Sequence, residues 1–469
     1  MLGSLQTFEP LESRCLFSAD VVLHWNELLV QSLASQPPRV PLARNLALVH
    51  VAMFDAVNAI ERSYVPYAAD VRASSGASPE AAAAQAARDT LVALYPSRQA
   101  IFDSALVEDL AGIPRGRARQ GIAIGQQVAQ QILDLRANDG ASAIVTYVPP
   151  NQDPGQWQPT PPNFAPAGNV HVPLITPFAV ESSSQFRPGP HPALASPEYA
   201  AALNEVKSLG RAIGSTRTDD QTLVAELWRL PLTNHQVWNR IAQDVAAARG
   251  TNLVDTARLF ALMDMSINDG LQTSNESKFH YALWRPITAI RRAAEDGNAA
   301  TEAEPTWSTL HPTTPPYPSF AGNASTIGAA SATVLASVFG RNDVAFDVDW
   351  GRYGFSGVSR SYPGFWAAAH EMADSRVYGG IHFSFDNVAG QQVGANVANY
   401  VTDHFLLPTC ATAGAGTASS ATEGDEVTGR IGGGGAGASS SRSFNFCETT
   451  LRGESQSSAG DDDLFGLLD

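Results

Sequence analysis

From Asp20 onward, apolar residues recur every three or four positions through "DVVLHWNELLVQSLA" and, after Pro41, through "ARNLALVHVAMFDAVNAI". That spacing lays one apolar stripe along an α-helix. "SPEAAAAQAARDTLVALY" predicts a third helix, with Ser78 as N-cap, Pro79 at its first position and Glu80 behind. "RGRARQGIAIGQQVAQQILDLRAND" is a further amphipathic helix. Residues 138–198 break the rhythm: Pro, Gly, Asn, Gln and Trp dominate, a long irregular excursion that in a compact domain serves function or packing. Helical spacing returns at "SPEYAAALNEVKSLG" and runs through "DQTLVAELWRL", "HQVWNRIAQDVAAARG" and "NLVDTARLFALMDMSINDGLQTSNESKFHYALW". Long alternating strand patterns and internal repeats are absent, so the body is expected to be all-α, a helical bundle.

After about residue 408 the chain turns to Ala, Gly, Ser and Thr and ends "SSAGDDDLFGLLD", a composition that cannot sustain a core and predicts a disordered tail. The expected organisation is a terminal segment at 1–19, a helical domain at 20–407 and a low-complexity tail at 408–469. With 30 Lys and Arg against 46 Asp and Glu, the formal charge is −16, which argues against a nucleic-acid partner. Any anion site must therefore be a local basic cluster. No apolar run reaches transmembrane length. Cys15, Cys410 and Cys447 show no zinc spacing; Cys410 and Cys447 could pair outside the cytoplasm. The N-terminal "FEPLESRCLFSA" resembles the LEPR-XLL type of segment found on bacterial exported proteins, which implies an extracytoplasmic location. Oligomeric state is left open, a homo-oligomer included.

Three stretches carry candidate chemistry. In "KFHYALWRPITAIRRA", Lys278 and Arg285 are seven residues apart, nearly two helical turns, which predicts two cations on one face. Pro286 places Arg285 at a helix end. In "SRVYGGIHFSFD", Arg376 precedes Gly379-Gly380 and His382, with Asp386 four residues beyond. At that spacing on a helix the carboxylate can hold one imidazole nitrogen and leave the other free as nucleophile or metal ligand. Taken singly, each pattern is also that of an ordinary helix surface or a structural ion pair. The third stretch, "PPYPSFAGNAST", leads through Gly322-Asn323 into a small-residue helix whose first N–H groups are a ready anion site.

Together, Lys278-x6-Arg285-Pro286 and Ser375-Arg376-x5-His382-x3-Asp386 resemble the signature of the vanadium-dependent haloperoxidases and type 2 phosphatidic acid phosphatases. The likeness, closest to the bacterial haloperoxidase-like branch, extends over about residues 20–405. It implies a helical bundle holding vanadate, or phosphate in the same site. Lys278, Arg285 and Arg376 would clamp the oxyanion, His382 would bond vanadium or attack phosphorus, and Asp386 would support that histidine. The implied reaction is halide oxidation with hydrogen peroxide. The alternatives are hydrolysis of a phosphoester through a phosphohistidine, or a non-catalytic oxyanion-binding secreted protein.

One departure stands out. Where the family places Ser-Gly-His, this chain has Gly322, Asn323 and Ala324; Ser319 lies too early for that register. Gly322 and Asn323 can still offer backbone N–H groups, and the Asn323 amide adds a donor. The acid/base histidine is missing, a loss of about a hundred- to ten-thousand-fold in rate. His311 is the better-placed substitute; His280, two residues past Lys278, is expected at the rim.

Overall fold

The computed structural model describes residues 20–33, 41–73, 76–229 and 231–409; the expectations for segments 1–19 and 410–469 and for the cysteines lie outside them. Thirteen α-helices account for most of the described chain: α1 (Asp20–Ser32), α2 (Leu42–Glu61), α3 (Pro79–Leu94), α4 (Gln99–Leu110), α5 (Arg115–Leu135), α6 (Pro197–Leu209), α7 (Asp219–Leu227), α8 (Pro231–Arg249), α9 (Leu253–Tyr281), α10 (Pro286–Arg291), α11 (Asn323–Phe339), α12 (Phe365–Tyr378) and α13 (Ser384–His404). The all-α reading holds, with one addition. Strands β1 (Phe346–Asp349) and β2 (Ser359–Tyr362) pair antiparallel, Phe346 opposite Tyr362. At four residues each they are too short to show a period in the sequence. Among the described residues no helix is long and apolar enough to cross a membrane.

Local signals act where the sequence put them. Ser78 Oγ accepts the Ala81 N–H at 3.2 Å and starts α3. Ser196, Thr218 and Asn252 cap α6, α7 and α9 in the same way. Helix α9 is the central post, packed by α2 on one side and by α11 and α13 on the other. Close approach of α11 and α13 depends on missing side chains: a Cβ at Gly390 would meet the Gly322 carbonyl at 2.3 Å, and one at Gly394 the Thr326 carbonyl at 2.3 Å. That contact brings the start of α11 onto the first turns of α13.

The irregular excursion, residues 136–196, holds only a 3₁₀ turn at Val172–Leu174. Asp269 of α9 anchors it by accepting the N–H groups of Phe178, Ala179 and Val180 at 2.8, 2.7 and 3.0 Å. Its other end clasps the α9–α10 connection, Trp157 N–H to the Ala282 carbonyl at 2.7 Å and Trp284 N–H to the Gly155 carbonyl at 2.8 Å. It is thus a packing arm, and part of its length walls the cavity described next.

Candidate oxyanion site

Three loops and the last turn of α12 meet near the end of α9, and each is fixed by an apolar neighbour of its polar residue. Trp284 beside Arg285, Phe320 and Ala321 before Gly322, Val377 after Arg376, and Phe383 after His382 all belong to one buried cluster. Trp284 Nε1–H donates to the Tyr199 hydroxyl at 2.9 Å, and Phe383 stacks on Phe385. Burying these side chains, each contributing about 2–3 kcal/mol, is what sets the charged residues between them in place.

Lys278 and Arg285 converge, though not along one helix face as the spacing suggested. Helix α9 stops at Tyr281 with Ala282 in the left-handed region (φ 51°), and Arg285 is the residue preceding α10. Both cations lie over the Tyr317 ring, at 5.4 and 5.0 Å from its centroid. Lys278 Nζ donates to the Ser319 carbonyl at 2.7 Å and to the Ala321 carbonyl, holding the loop that opens α11. Arg285 donates from Nε to the Tyr317 carbonyl at 2.7 Å and from Nη1 to the Ile381 carbonyl at 2.8 Å. Arg376 Nη1 donates to the Trp228 carbonyl at 2.7 Å.

His382 and Asp386 do pair, across a helix start and not within a helix. His382 precedes α13; Asp386 sits in its first turn and accepts the Phe383 N–H at 3.1 Å. The same Oδ2 lies 2.8 Å from His382 Nδ1 and accepts the Ser319 hydroxyl at 2.5 Å. Ser319 therefore supports the dyad, a role its position outside the family register concealed. Tyr317, which seats two cations, was also missed, because a carbonyl acceptor leaves no mark on residue type.

The electrostatics are one-sided. Lys278, Arg285 and Arg376 are 0%, 0% and 5% exposed; among the described residues the one carboxylate acting on Lys278 and Arg285 is Asp386, itself 0% exposed, and none acts on Arg376. Burial brings both guanidinium groups down to about 10, so they stay charged at neutral pH. Burial, then Arg285, Lys278 and Arg376, holds His382 well below the ordinary imidazole range, so the ring is neutral. Burial raises the Asp386 carboxyl, opposed by the Ser319 hydroxyl and Lys278. Two guanidinium nitrogens, Arg285 Nη2 and Arg376 Nε, are buried with no partner. Uncompensated buried cations cost several kcal/mol each, and the arrangement calls for an anion.

The opening of α11 meets expectation in part. Gly322 does not offer its N–H, which donates to the Asp386 carbonyl at 2.8 Å; this is the bond that joins α11 to α13. Helix α11 has no side-chain cap. Asn323 accepts the Ser274 hydroxyl at 2.8 Å through Oδ1, which turns its amide nitrogen outward as a donor. Asn323 and Ala324 line a cavity of about 660 Å³ together with His311, Arg376 and His382. His311 is 2% exposed with both ring nitrogens unpartnered, and burial followed by Arg376, Arg229 and Arg217 depresses it to about 3. Its ring rests on Gly379, where a Cβ would come within 2.3 Å. His280 is exposed and packs on Tyr281, away from the site.

A buried cation triad around a neutral, carboxylate-oriented histidine defines an oxyanion-binding class of helical protein. Residues 258–407, which carry every one of these groups and His311 as well, match the family model of the VCPO second helical-bundle domain. The vanadium chloroperoxidase of Curvularia inaequalis is 25% identical over 258 residues, 42% of this chain and 41% of that protein, so the match spans less than half the length of that relative. The fold is shared with a bacterial vanadium-dependent iodoperoxidase (TM-score 0.73, 24% identity, 84% of this chain and 99% of that one). A holo-type bacterial vanadium-dependent chloroperoxidase aligns with TM-score 0.62 at 16% identity over 78% of this chain and 94% of its own. Over residues 258–407 the chain is thus similar to the VCPO helical-bundle domain, and its fold as a whole is that of the bacterial vanadium-dependent haloperoxidases.

Proposed function

We propose that this protein binds orthovanadate between Arg285, Arg376 and His382 and oxidises halide with hydrogen peroxide, at a rate lowered by Ala324. The observation that carries the reading is the excess of buried positive charge, with Arg285 Nη2 and Arg376 Nε left unpartnered beside a neutral histidine. The residues suit the group. Guanidinium forks match tetrahedral oxyanions, and a histidine with Nδ1 held by a carboxylate presents Nε2 as a ligand. Bound vanadate would supply activation of peroxide toward two-electron oxidation of the halide.

The chain's own residues do the rest. Asp386 fixes the His382 tautomer, and Ser319 fixes Asp386. Lys278 holds the loop carrying Asn323, whose amide nitrogen is the side-chain donor on that wall. His311, neutral at working pH and too weak a base to take up a proton beside Arg376, can exchange a hydrogen bond there but cannot deliver a proton as an imidazolium. Ala324 offers no proton at all.

The test is halide oxidation by purified protein with and without orthovanadate, alongside Ala324→His. A weak vanadate-dependent rate in the native protein, raised about a hundredfold or more in the variant, is expected. Absence of any vanadate-dependent rate in both proteins would refute peroxidase function. Vanadate-inhibited cleavage of nitrophenyl phosphate in its place would assign His382 to phosphoester hydrolysis.

A further inference from the structure

The cavity above His382 is far larger than peroxide and halide need. Its volume of about 660 Å³ corresponds to some twenty waters at about 30 Å³ each, and falls within the range of sites for drug-sized molecules. Its two ends also differ in character. One is cationic, where Arg229 and Arg376 flank His311. The other is formed by Asn234 and His235 of α8 and Asn268 and Asn275 of α9, and among the described residues no carboxylate or lysine lines the cavity. Burial depresses His235 to about 4, whereas His311 is depressed by burial and by Arg376, Arg229 and Arg217.

Helix α9 sets the distance between the ends. Asn268, Leu271, Asn275 and Lys278 follow one another at spacings of three, four and three residues along one stripe. At 1.5 Å per residue the amide end therefore begins about 5 Å, and extends about 15 Å, from the Lys278 turn. Three of its side chains carry polar atoms that no protein group satisfies: Asn234 Oδ1, His235 Nδ1 and Asn275 Oδ1. The Asn275 amide cannot rotate to hide this, because its Nδ2 donates to the Leu271 carbonyl at 2.7 Å. Pro161, Pro316, Tyr317, Leu271 and Ile327 supply apolar surface to the rest of the wall, beside the polar Thr160, Asn163, Asn169, Thr313 and Thr314.

We infer that this amide-lined end is a binding site for a neutral ring compound bearing hydroxyl groups, held beside the oxyanion site. Asn234 Oδ1 and Asn275 Oδ1 require a ligand that donates, and His235 Nδ1 donates or accepts according to its tautomer. The prolines and Tyr317 accept a flat ring, and the absence of carboxylates among the described lining residues gives no hold on a cation. Each buried acceptor left unmet costs about 1–3 kcal/mol, so a ligand lacking donors is disfavoured whatever its shape. Binding does not depend on turnover at His382; only the ligand's service as acceptor of an oxidised halogen rests on the peroxidase reading.

Calorimetric titration with resorcinol and with 1,3-dimethoxybenzene, which keeps the ring and loses the donors, decides the matter. Resorcinol is expected to bind saturably, one per chain, about tenfold tighter than the ether or better, with orthovanadate present or absent. In Asn234→Leu/Asn275→Leu the preference should shrink to about threefold or less, with the fold checked by circular dichroism. Equal affinity for the two ligands, no saturable binding of resorcinol, or its displacement by orthovanadate would overturn the proposal. The comparison in the native protein stands even if the double variant does not fold.

Discussion

Arg285 Nη1 stands 3.1 Å from His382 Nε2, on the opposite side of the ring from the Asp386 oxygen 2.8 Å from Nδ1. The pair defines the tautomer: Nδ1 carries the proton, and the Nε2 lone pair faces a cation. An oxyanion ligated by Nε2 would take over that lone pair and free Arg285 Nη1 to join the unpartnered Nη2.

Arg285 is one of three cations that depress His382, second only to burial. In Arg285→Gln the imidazole loses that repulsion and should titrate higher. Imidazole proton shifts followed by NMR through a pH series check this. An unmoved His382 titration would remove Arg285 from the causes of its depression and leave them to burial, Lys278 and Arg376.

Gly379 and His311 form a steric pair, since a Cβ at residue 379 would lie 2.3 Å from the His311 ring. Gly379→Ala should cost about 1–3 kcal/mol in stability, as overpacking of a close contact does. His311→Ala in the same chain should recover most of the loss, a coupling readable from thermal melts of the two single variants and the double.

Acid should weaken the fold early. His235, His311 and His382 are neutral when folded, His235 titrating at about 4 and His311 at about 3, with His382 also depressed. Unfolded, they take up protons near pH 6.5. Their folded values are lowered, so the unfolded chain binds more protons and stability falls as pH drops below that point. Asp55, raised to about 6, acts the other way, as do Asp269 and Asp386, and softens the slope at lower pH. The melting temperature is therefore expected to fall with pH from about pH 7 and more steeply below about 6.5, down to about pH 5. His235→Asn should flatten it by about one proton's worth of slope. A melting temperature independent of pH over that interval would contradict the buried neutral histidines.

Much of this site was legible in the chain. Lys278, Arg285, Arg376, His382 and Asp386 are identities that the chemistry demands, and their spacing survives in the sequence. The geometry that joins them was not. The break at Ala282 turns two cations read on one face into residues of two helices, and nothing in "HYALWRP" announces a left-handed residue there. Ser319 was set aside because register with the family assigned it no ligand; its partner is Asp386, sixty-seven residues away. Gly322 was read as a free donor because a helix start ordinarily leaves one, whereas α13 supplies the acceptor. His235 sits in an unremarkable amphipathic helix, and only the packing of α8 against the cavity gives it a place.

The central claim is that three buried cations and His382 form one oxyanion site, and orthovanadate titration by calorimetry tests it most directly. One saturable site per chain is expected, abolished in His382→Ala and weakened about a hundredfold or more in Arg376→Ala, with both variants retaining their helical circular dichroism. No saturable binding, or binding that survives His382→Ala unchanged, would contradict it.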